Sequence, residues 1–150
     1  AEWFQDVSVL AADAGVELDL SPLAALRDEM VVYPQVVAHV ARLRRDGFKT
    51  ALVTNNVREG SKMWRSLMSV DELFDVVIDS SEVGMRKPNR AIFDLALQQL
   101  GVTDPTSAVF LDDLDSNVAA ARAIGMHAIL VGDPPDAALG ELDALLRAST

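Results

Sequence analysis

Apolar residues recur along the chain at two spacings, and each spacing predicts a different kind of element. Short apolar runs rich in β-branched residues predict four buried strands, at residues 50–54, 76–78, 108–111 and 127–131. Apolar residues three and four apart predict helices between and around them, at residues 35–46, 63–68, 92–100, 118–124 and 139–146. Strands that are apolar on both faces and alternate with helices are typical of a parallel sheet covered on both sides. The pattern therefore predicts a doubly wound, Rossmann-like α/β unit over residues 35–150.

The first 34 residues have a helical pattern without a strand. Trp3, Val7 and Leu10 share one helix face, and Gly15 follows them as a stop signal. Ser21-Pro22 is typical of the start of a second helix. We therefore predict a separate helical element over residues 1–34.

Composition narrows the range of functions. The chain has 150 residues, a net charge of −10 and no cysteine. The negative charge would repel a nucleic-acid backbone, and the lack of cysteine excludes disulfides, thiolate zinc sites and cysteine nucleophiles. No apolar run reaches the length of a membrane span, and the first residues do not resemble a secretion signal. We expect a soluble, cytoplasmic protein that binds neither nucleic acid nor membrane.

Polar side chains collect where the predicted strands end. The first strand ends in Thr54 and Asn55, the second leads to Lys87, and the third ends in Asp112 and Asp113. Ligands of open parallel sheets bind beyond the carboxyl ends of the strands, so we expect these side chains to share one edge. Hydroxyl, amide and ammonium groups can bind phosphoryl oxygens, and paired carboxylates suit Mg²⁺. Taken together, the set predicts a site for a phosphate and its magnesium ion.

Each of these residues also has an ordinary structural interpretation. Asp112-Asp113 could cap the helix that follows, Thr54 could bond to backbone, and Lys87 could be a solvated loop residue. His39 on a helix and His127 at the start of a strand are interpreted as surface or structural residues. The order of the polar groups on successive strand ends favours the phosphate site over these interpretations taken singly.

Three motifs at the strand ends resemble the haloacid dehalogenase superfamily of hydrolases. They are residues 52–55, residues 84–88, and residues 109–113 with Asn117. Lys87 follows Thr54 by 33 positions, and Asp113 follows Lys87 by 26. The resemblance covers residues 35–147. It is closest to the branch containing the amino-terminal phosphatase domain of soluble epoxide hydrolases, which is similar at residues 47–55 and 83–88.

The resemblance implies phosphoryl transfer on a small phosphorylated substrate. Thr54 and Asn55 would bind the transferring phosphoryl group, and Lys87 would bridge the phosphate and the nucleophile. Asp113, helped by Asp112, would hold Mg²⁺, and this acidic pair argues for a phosphatase because the dehalogenases lack it. Thr54 and Lys87 are thus the implied catalytic residues of this sequence. Residues 1–34 resemble part of the helical cap of such enzymes.

The family's first motif is missing from the sequence. It places a nucleophilic Asp at the end of a central strand, but no Asp-x-Asp-Gly-(Thr/Val) run follows an apolar strand here. Without that strand, the strands ending in Thr54 and Asp113 would carry facing rows of unpaired backbone groups, at about 1–3 kcal/mol each, or would close up. We expect a truncated form of a longer enzyme, inactive alone. A strand from another chain and a rebuilt sheet are the alternatives.

Two functions from different classes follow. The first is a Mg²⁺-dependent phosphatase that works through an aspartyl-phosphate in the intact parent protein. The second is a non-catalytic domain of the same fold that binds a phosphate, a metal or a protein partner, with self-association or strand exchange through the exposed edges. A receiver-like signalling domain fits less well, because its acidic pair follows the first strand and here the pair comes last.

Overall fold

The computed structural model of the chain describes residues 32–56, 65 and 69–148. The helices predicted before residue 32, and all of the helix predicted at 63–68 except residue 65, lie outside the described residues. The chain divides into two units, Ala1–Val32 and Tyr33–Thr150, and every element below belongs to the second. The cap predicted over residues 1–34 stays a prediction.

Helices and strands alternate along the described part of the chain. In order they are α1 (Pro34–Arg45), β1 (Ala51–Thr54), α2 (Val70–Leu73), β2 (Val76–Asp79), α3 (Ser80–Val83), α4 (Arg90–Leu100), a 3-10 turn (Pro105–Ser107), β3 (Val109–Asp112), α5 (Asp115–Ala123), β4 (His127–Leu130) and α6 (Asp136–Ala148). None of the described helices is long and apolar enough to cross a membrane.

The predicted strands are confirmed to within one residue at each end. Helices α1, α4 and α5 are followed by Gly47, Gly101 and Gly125, whose φ angles of 91°, 68° and 97° lie in the left-handed region. Glycine enters this region without steric cost, so it ends a helix readily. The sequence pattern does not predict α2 and α3, because four residues are too few to show a helical period.

The four strands form two separate parallel sheets of two strands each. In the first half-sheet β1 pairs with β2, which places Thr54 opposite Asp79. In the second half-sheet β3 pairs with β4, which places Asp112 opposite Leu130. Within the described ranges no backbone ladder joins β1 to β3. The described residues therefore form the predicted α/β unit, with no strand among them between β1 and β3.

Two apolar cores lie on opposite faces of these strands. The first contains Phe93 of α4 and Ala128 of β4, and the second contains Leu142 of α6 and Ile129 of β4. Successive side chains of a strand point to opposite faces, so neighbouring residues of β4 belong to different cores. Helices thus cover both faces, as predicted.

The first core also holds the two half-sheets together. Val53 of β1 and Phe110 of β3 both pack against it, alongside the fully buried Ile78 of β2. The inner strands β1 and β3 therefore share a core although they share no ladder. Their carboxyl ends carry the residues that the sequence selects as a site.

Candidate active site

Lys87 and Asp112 form an ion pair at the carboxyl ends of the strands. The Lys87 ammonium lies 2.7 Å from Asp112 Oδ2, and the exposed fractions of the two side chains are 11% and 4%. Lys87 belongs to the loop that follows the first half-sheet, whereas Asp112 ends β3 in the second. The structure therefore brings together two of the predicted site residues from different halves of the fold.

The Asp112 carboxylate accepts three hydrogen bonds. Oδ1 accepts from the Leu114 backbone N–H at 2.9 Å and from the Asn117 amide at 2.8 Å, while Oδ2 accepts from Lys87. Burial alone would raise the pKa of Asp112, but the bonds from Lys87, Asn117 and Leu114 outweigh it and lower that pKa. Asp112 is therefore held as a carboxylate, and both of its oxygens are engaged.

Aromatic packing supports the Lys87 side chain. The ammonium lies 5.6 Å from the centroid of the Phe110 ring, a distance at which a cation is attracted to the ring face. Phe110 in turn makes an edge-to-face contact with Phe93 of α4, with ring centroids 5.1 Å apart. The cation is thus fixed by a carboxylate and an aromatic ring that both belong to β3.

Asn55 binds the backbone of Lys87 with both ends of its amide. Its Nδ2 donates to the Lys87 carbonyl at 2.9 Å, and the Lys87 N–H donates to its Oδ1 at 2.8 Å. The next residue, Asn56, donates its N–H to Ser80 Oγ at 2.9 Å, and the same hydroxyl donates back to the Asn56 carbonyl at 3.2 Å. The loop after β1 is therefore anchored on one side to the end of β2 and on the other to Lys87.

Thr54 at the end of β1 is half-buried, and its hydroxyl donates no hydrogen bond to another described residue. Its one contact among the described residues is the Asn56 amide at 3.5 Å, the outer limit of a hydrogen bond. In that contact the hydroxyl accepts, so its own O–H remains able to donate to a ligand.

Asp113 differs from Asp112 in its exposure and in its bonding. It is exposed, and it has no hydrogen bond or ion pair with another described residue. Mg²⁺ takes one or two carboxylates, retains several waters and tolerates phosphate oxygens as further ligands. An open carboxylate beside a buried one fits this donor set. No group of three or more acidic or histidine ligands occurs within the described ranges.

The two histidines lie away from these residues. His39 Nε2 is 3.1 Å from Asp143 Oδ1 and also contacts Arg42, a cluster that joins α1 to α6. His127 is exposed at the start of β4. His39 thus makes contacts within the fold, and His127 lies at the surface.

Ser80 and Phe110 are the site-supporting residues that the sequence reasoning missed. Ser80 lies two residues beyond the strand predicted at 76–78, so the rule that selected Thr54 and Asp113 at strand ends could have been extended to it. Phe110 gives no such signal, because an aromatic residue inside an apolar strand reads as core.

Comparison with known proteins gives the family. Residues 1–125 match the haloacid dehalogenase-like (HAD-like) hydrolases. The chain belongs to this family. It is 37% identical over 123 residues to pig bifunctional epoxide hydrolase 2, covering 79% of this chain and 22% of that protein. It is 33% identical over 156 aligned positions to a phosphatase of Mycobacterium tuberculosis (strain CDC 1551 / Oshkosh), covering 94% of this chain and 70% of that protein.

A solved structure has the same fold. It is a HAD-family enzyme from Bacteroides thetaiotaomicron, an aspartate-to-alanine mutant crystallised with magnesium and inorganic phosphate. The TM-score is 0.68 at 21% identity, over 87% of this HAD-like chain and 69% of that one. This structure supports the fold, while the family match and the identity to epoxide hydrolase 2 confirm the predicted superfamily and its epoxide hydrolase branch. The chain spans only 10–22% of the mammalian relatives that it matches at 37–41% identity.

Proposed function

We propose that this HAD-like chain is part of a Mg²⁺-dependent phosphatase that hydrolyses a small phosphomonoester through an aspartyl-phosphate. The observation that carries the proposal is the Lys87–Asp112 pair, 2.7 Å apart and nearly buried, at the strand ends where Thr54 presents its hydroxyl. A fixed cation and a hydroxyl donor suit a phosphoryl group, whose charge is spread over its oxygens. The phosphatases among the relatives support the same class of reaction.

The described residues would bind and polarise the phosphoryl group. An ammonium has three N–H donors, and Asp112 takes one of those of Lys87, so two remain for phosphoryl oxygens. Thr54 would donate its O–H to a third oxygen. A donor of this kind is worth about a hundredfold in turnover when it meets charge that develops in the transition state.

The covalent steps require an aspartate that no strand end of this chain supplies in the family's pattern. Its carboxylate would attack phosphorus while the bond from phosphorus to the ester oxygen breaks, and that oxygen would leave as the substrate alcohol with a proton that the water of the second step replaces. Water would then cleave the acyl-phosphate and release inorganic phosphate. We propose that this aspartate ends a strand between β1 and β3, in the intact parent protein, and that the 150 residues alone do not turn over.

Asp113 would hold the magnesium ion, and Asp112 would stay bound to Lys87 beside it. When bound, the ion supplies positive charge that offsets the charge of the phosphoryl oxygens. The feature that fits the role is the exposed carboxylate of Asp113, which has no partner among the residues that the structure describes.

The test is Mg²⁺-dependent hydrolysis of p-nitrophenyl phosphate by the intact protein. Asp113→Asn removes the primary metal ligand, so we expect Mg²⁺-dependent turnover to be abolished. Lys87→Met is expected to lower turnover by about a hundredfold through the loss of its cation. Asp115→Asn is the matched control, because Asp115 is an exposed carboxylate two residues away at the start of α5. Wild-type turnover in Asp113→Asn would refute the metal assignment.

A second function is favoured by the missing nucleophile motif. A non-catalytic HAD-like domain would keep the phosphate-binding groups and use them to bind a phosphorylated ligand. It predicts that the intact protein binds inorganic phosphate in a Lys87-dependent manner and hydrolyses no phosphomonoester. The same assay, run beside a phosphate titration, separates the two functions.

A further inference from the structure

The side chain of Asn55 is already occupied by protein. The sequence groups Asn55 with the phosphate-binding residues, yet its amide oxygen and nitrogen are 2.8 Å and 2.9 Å from the backbone nitrogen and oxygen of Lys87. A carboxamide that satisfies both backbone groups of one residue imitates a strand partner. These two bonds fix the position and rotation of that segment of the loop.

The location of the Lys87 ammonium depends on this attachment. A lysine side chain is a flexible four-carbon stem, so its ammonium can reach many places unless its root is fixed. The backbone of Lys87 lies in a loop, and the Asn55 side chain makes two hydrogen bonds to it. The far end then meets Asp112 at 2.7 Å and the Phe110 ring at 5.6 Å.

Asn55 can hold the Lys87 backbone in place because the chain segment that contains Asn55 is itself fixed by hydrogen bonds. The adjacent Asn56 exchanges two hydrogen bonds with Ser80, a residue with only 8% of its surface exposed. The contacts therefore run from the end of β2 through Asn56 and Asn55 to Lys87, and from Lys87 to Asp112 in the other half-sheet. This path joins two half-sheets that share no backbone ladder within the described residues.

We propose that Asn55 is a positioning residue, whose amide holds the Lys87 backbone so that the ammonium stands against Asp112, and that this side chain does not itself bind the phosphoryl group. The geometry of Lys87 is independent of any reaction. Only the use of its ammonium for phosphate rests on the proposed function.

The experiment compares the intact wild-type protein with three of its variants by two readouts at one pH. The first readout is the proton–nitrogen signal of the Lys87 ammonium and its exchange rate with water, and the second is the dissociation constant of inorganic phosphate with Mg²⁺ present. Asn55→Ala removes both bonds to Lys87. We expect exchange to rise about fivefold and phosphate affinity to fall about fivefold, the effect of one net hydrogen bond. Asn55→Asp keeps the acceptor for the Lys87 N–H. The exchange rate of the Lys87 ammonium in this variant should therefore lie between those of the wild type and Asn55→Ala.

Thr50→Val is the matched control for a purely structural effect. Thr50 is buried near the opposite end of β1, and its hydroxyl donates to the Leu73 carbonyl at 2.8 Å. Its loss destabilises the same strand without touching Lys87. We expect the Lys87 signal and the phosphate affinity of this variant to match those of the wild type.

The two readouts together distinguish positioning of Lys87 by Asn55 from direct binding of phosphate by Asn55. Loss of phosphate affinity in Asn55→Ala with an unchanged Lys87 signal would mean that Asn55 binds phosphate directly, and would overturn the proposal. An unchanged Lys87 signal with unchanged affinity would overturn it too. If the intact wild-type protein binds no phosphate, the proposed function fails, and the Lys87 signal alone decides the positioning role. If Asn55→Ala does not fold, the exchange rate in Asn55→Asp decides it.

Discussion

The two adjacent aspartates at the end of β3 should have opposite roles, and Asp112→Asn tests this directly. The Asp112 side chain is 4% exposed and accepts three hydrogen bonds, one of them from the nearly buried cation of Lys87. The asparagine side chain keeps an oxygen for Leu114 and Asn117. Its amide nitrogen then faces the Lys87 ammonium, so two donors meet with no acceptor between them.

The expected loss follows from the stranded charge. Removing one partner of a buried ion pair costs about 3–5 kcal/mol, and the lower end applies because Lys87 retains some access to water. With a urea slope of about 2 kcal/mol per molar, a loss of about 3 kcal/mol moves the unfolding midpoint down by about 1.5 M. Asp113→Asn alters an exposed side chain with no bond to another described residue, so the expected change in the free energy of unfolding is within about 0.5 kcal/mol.

The assay is urea unfolding of the 150-residue chain without metal, followed by circular dichroism. Equal midpoints for Asp112→Asn and Asp113→Asn would refute the division of roles.

The double variant Lys87→Met with Asp112→Asn adds a second check. If the stranded ammonium is the main cost, the double variant loses less stability than the two single changes together. Magnesium at ten times its dissociation constant should stabilise the wild type by about 1.4 kcal/mol and leave Asp113→Asn unchanged.

Two further predictions concern stability away from the site. Asp75 accepts from the Thr50 N–H, which lowers its pKa, so its stabilising contribution is present above about pH 4 and is lost as the pH falls through the folded-state pKa. Asp75→Asn should therefore show a smaller loss of stability between pH 5 and pH 2 (about that range) by urea unfolding. Gly101→Ala forces alanine to a φ of 68° and should cost about 1 kcal/mol, whereas Gly140→Ala, inside α6 with no atom within 4 Å of the new Cβ, should stabilise by about 0.5–1 kcal/mol. Thermal melts of the two glycine variants shifted in the same direction would contradict this.

The strands and their polar ends could be predicted because both depend on local sequence. A short apolar run with β-branched residues has few alternatives to a buried strand, and parallel strands bring their carboxyl ends to one edge. Thr54, Lys87 and Asp112 are found at that edge for this reason. The glycines after the helices are equally local signals, since a positive φ favours glycine at a single position.

The contacts within the site could not be predicted in the same way. The resemblance assigns Mg²⁺ to Asp113 with help from Asp112, but it does not predict the bonds of Asp112 to Lys87 and Asn117. Successive residues at a strand end point to opposite sides, so one aspartate of such a pair turns inward and the other outward, and the loops decide which. The use of the Asn55 amide has the same origin, because it depends on a loop 32 residues further on.

The ammonium of Lys87 has a structural and a chemical task that do not compete. One N–H binds Asp112 and so links the two half-sheets at their carboxyl ends, where no backbone ladder joins the described strands β1 and β3. The remaining donors are enough for two phosphoryl oxygens, so a phosphate can bind without breaking that link. Phosphate should therefore add to the connection between the half-sheets, because it would bridge Lys87 and Thr54 while the Asp112 bond persists. A site built in this way has its cation in place before the ligand arrives, which lowers the cost of ordering the site on binding.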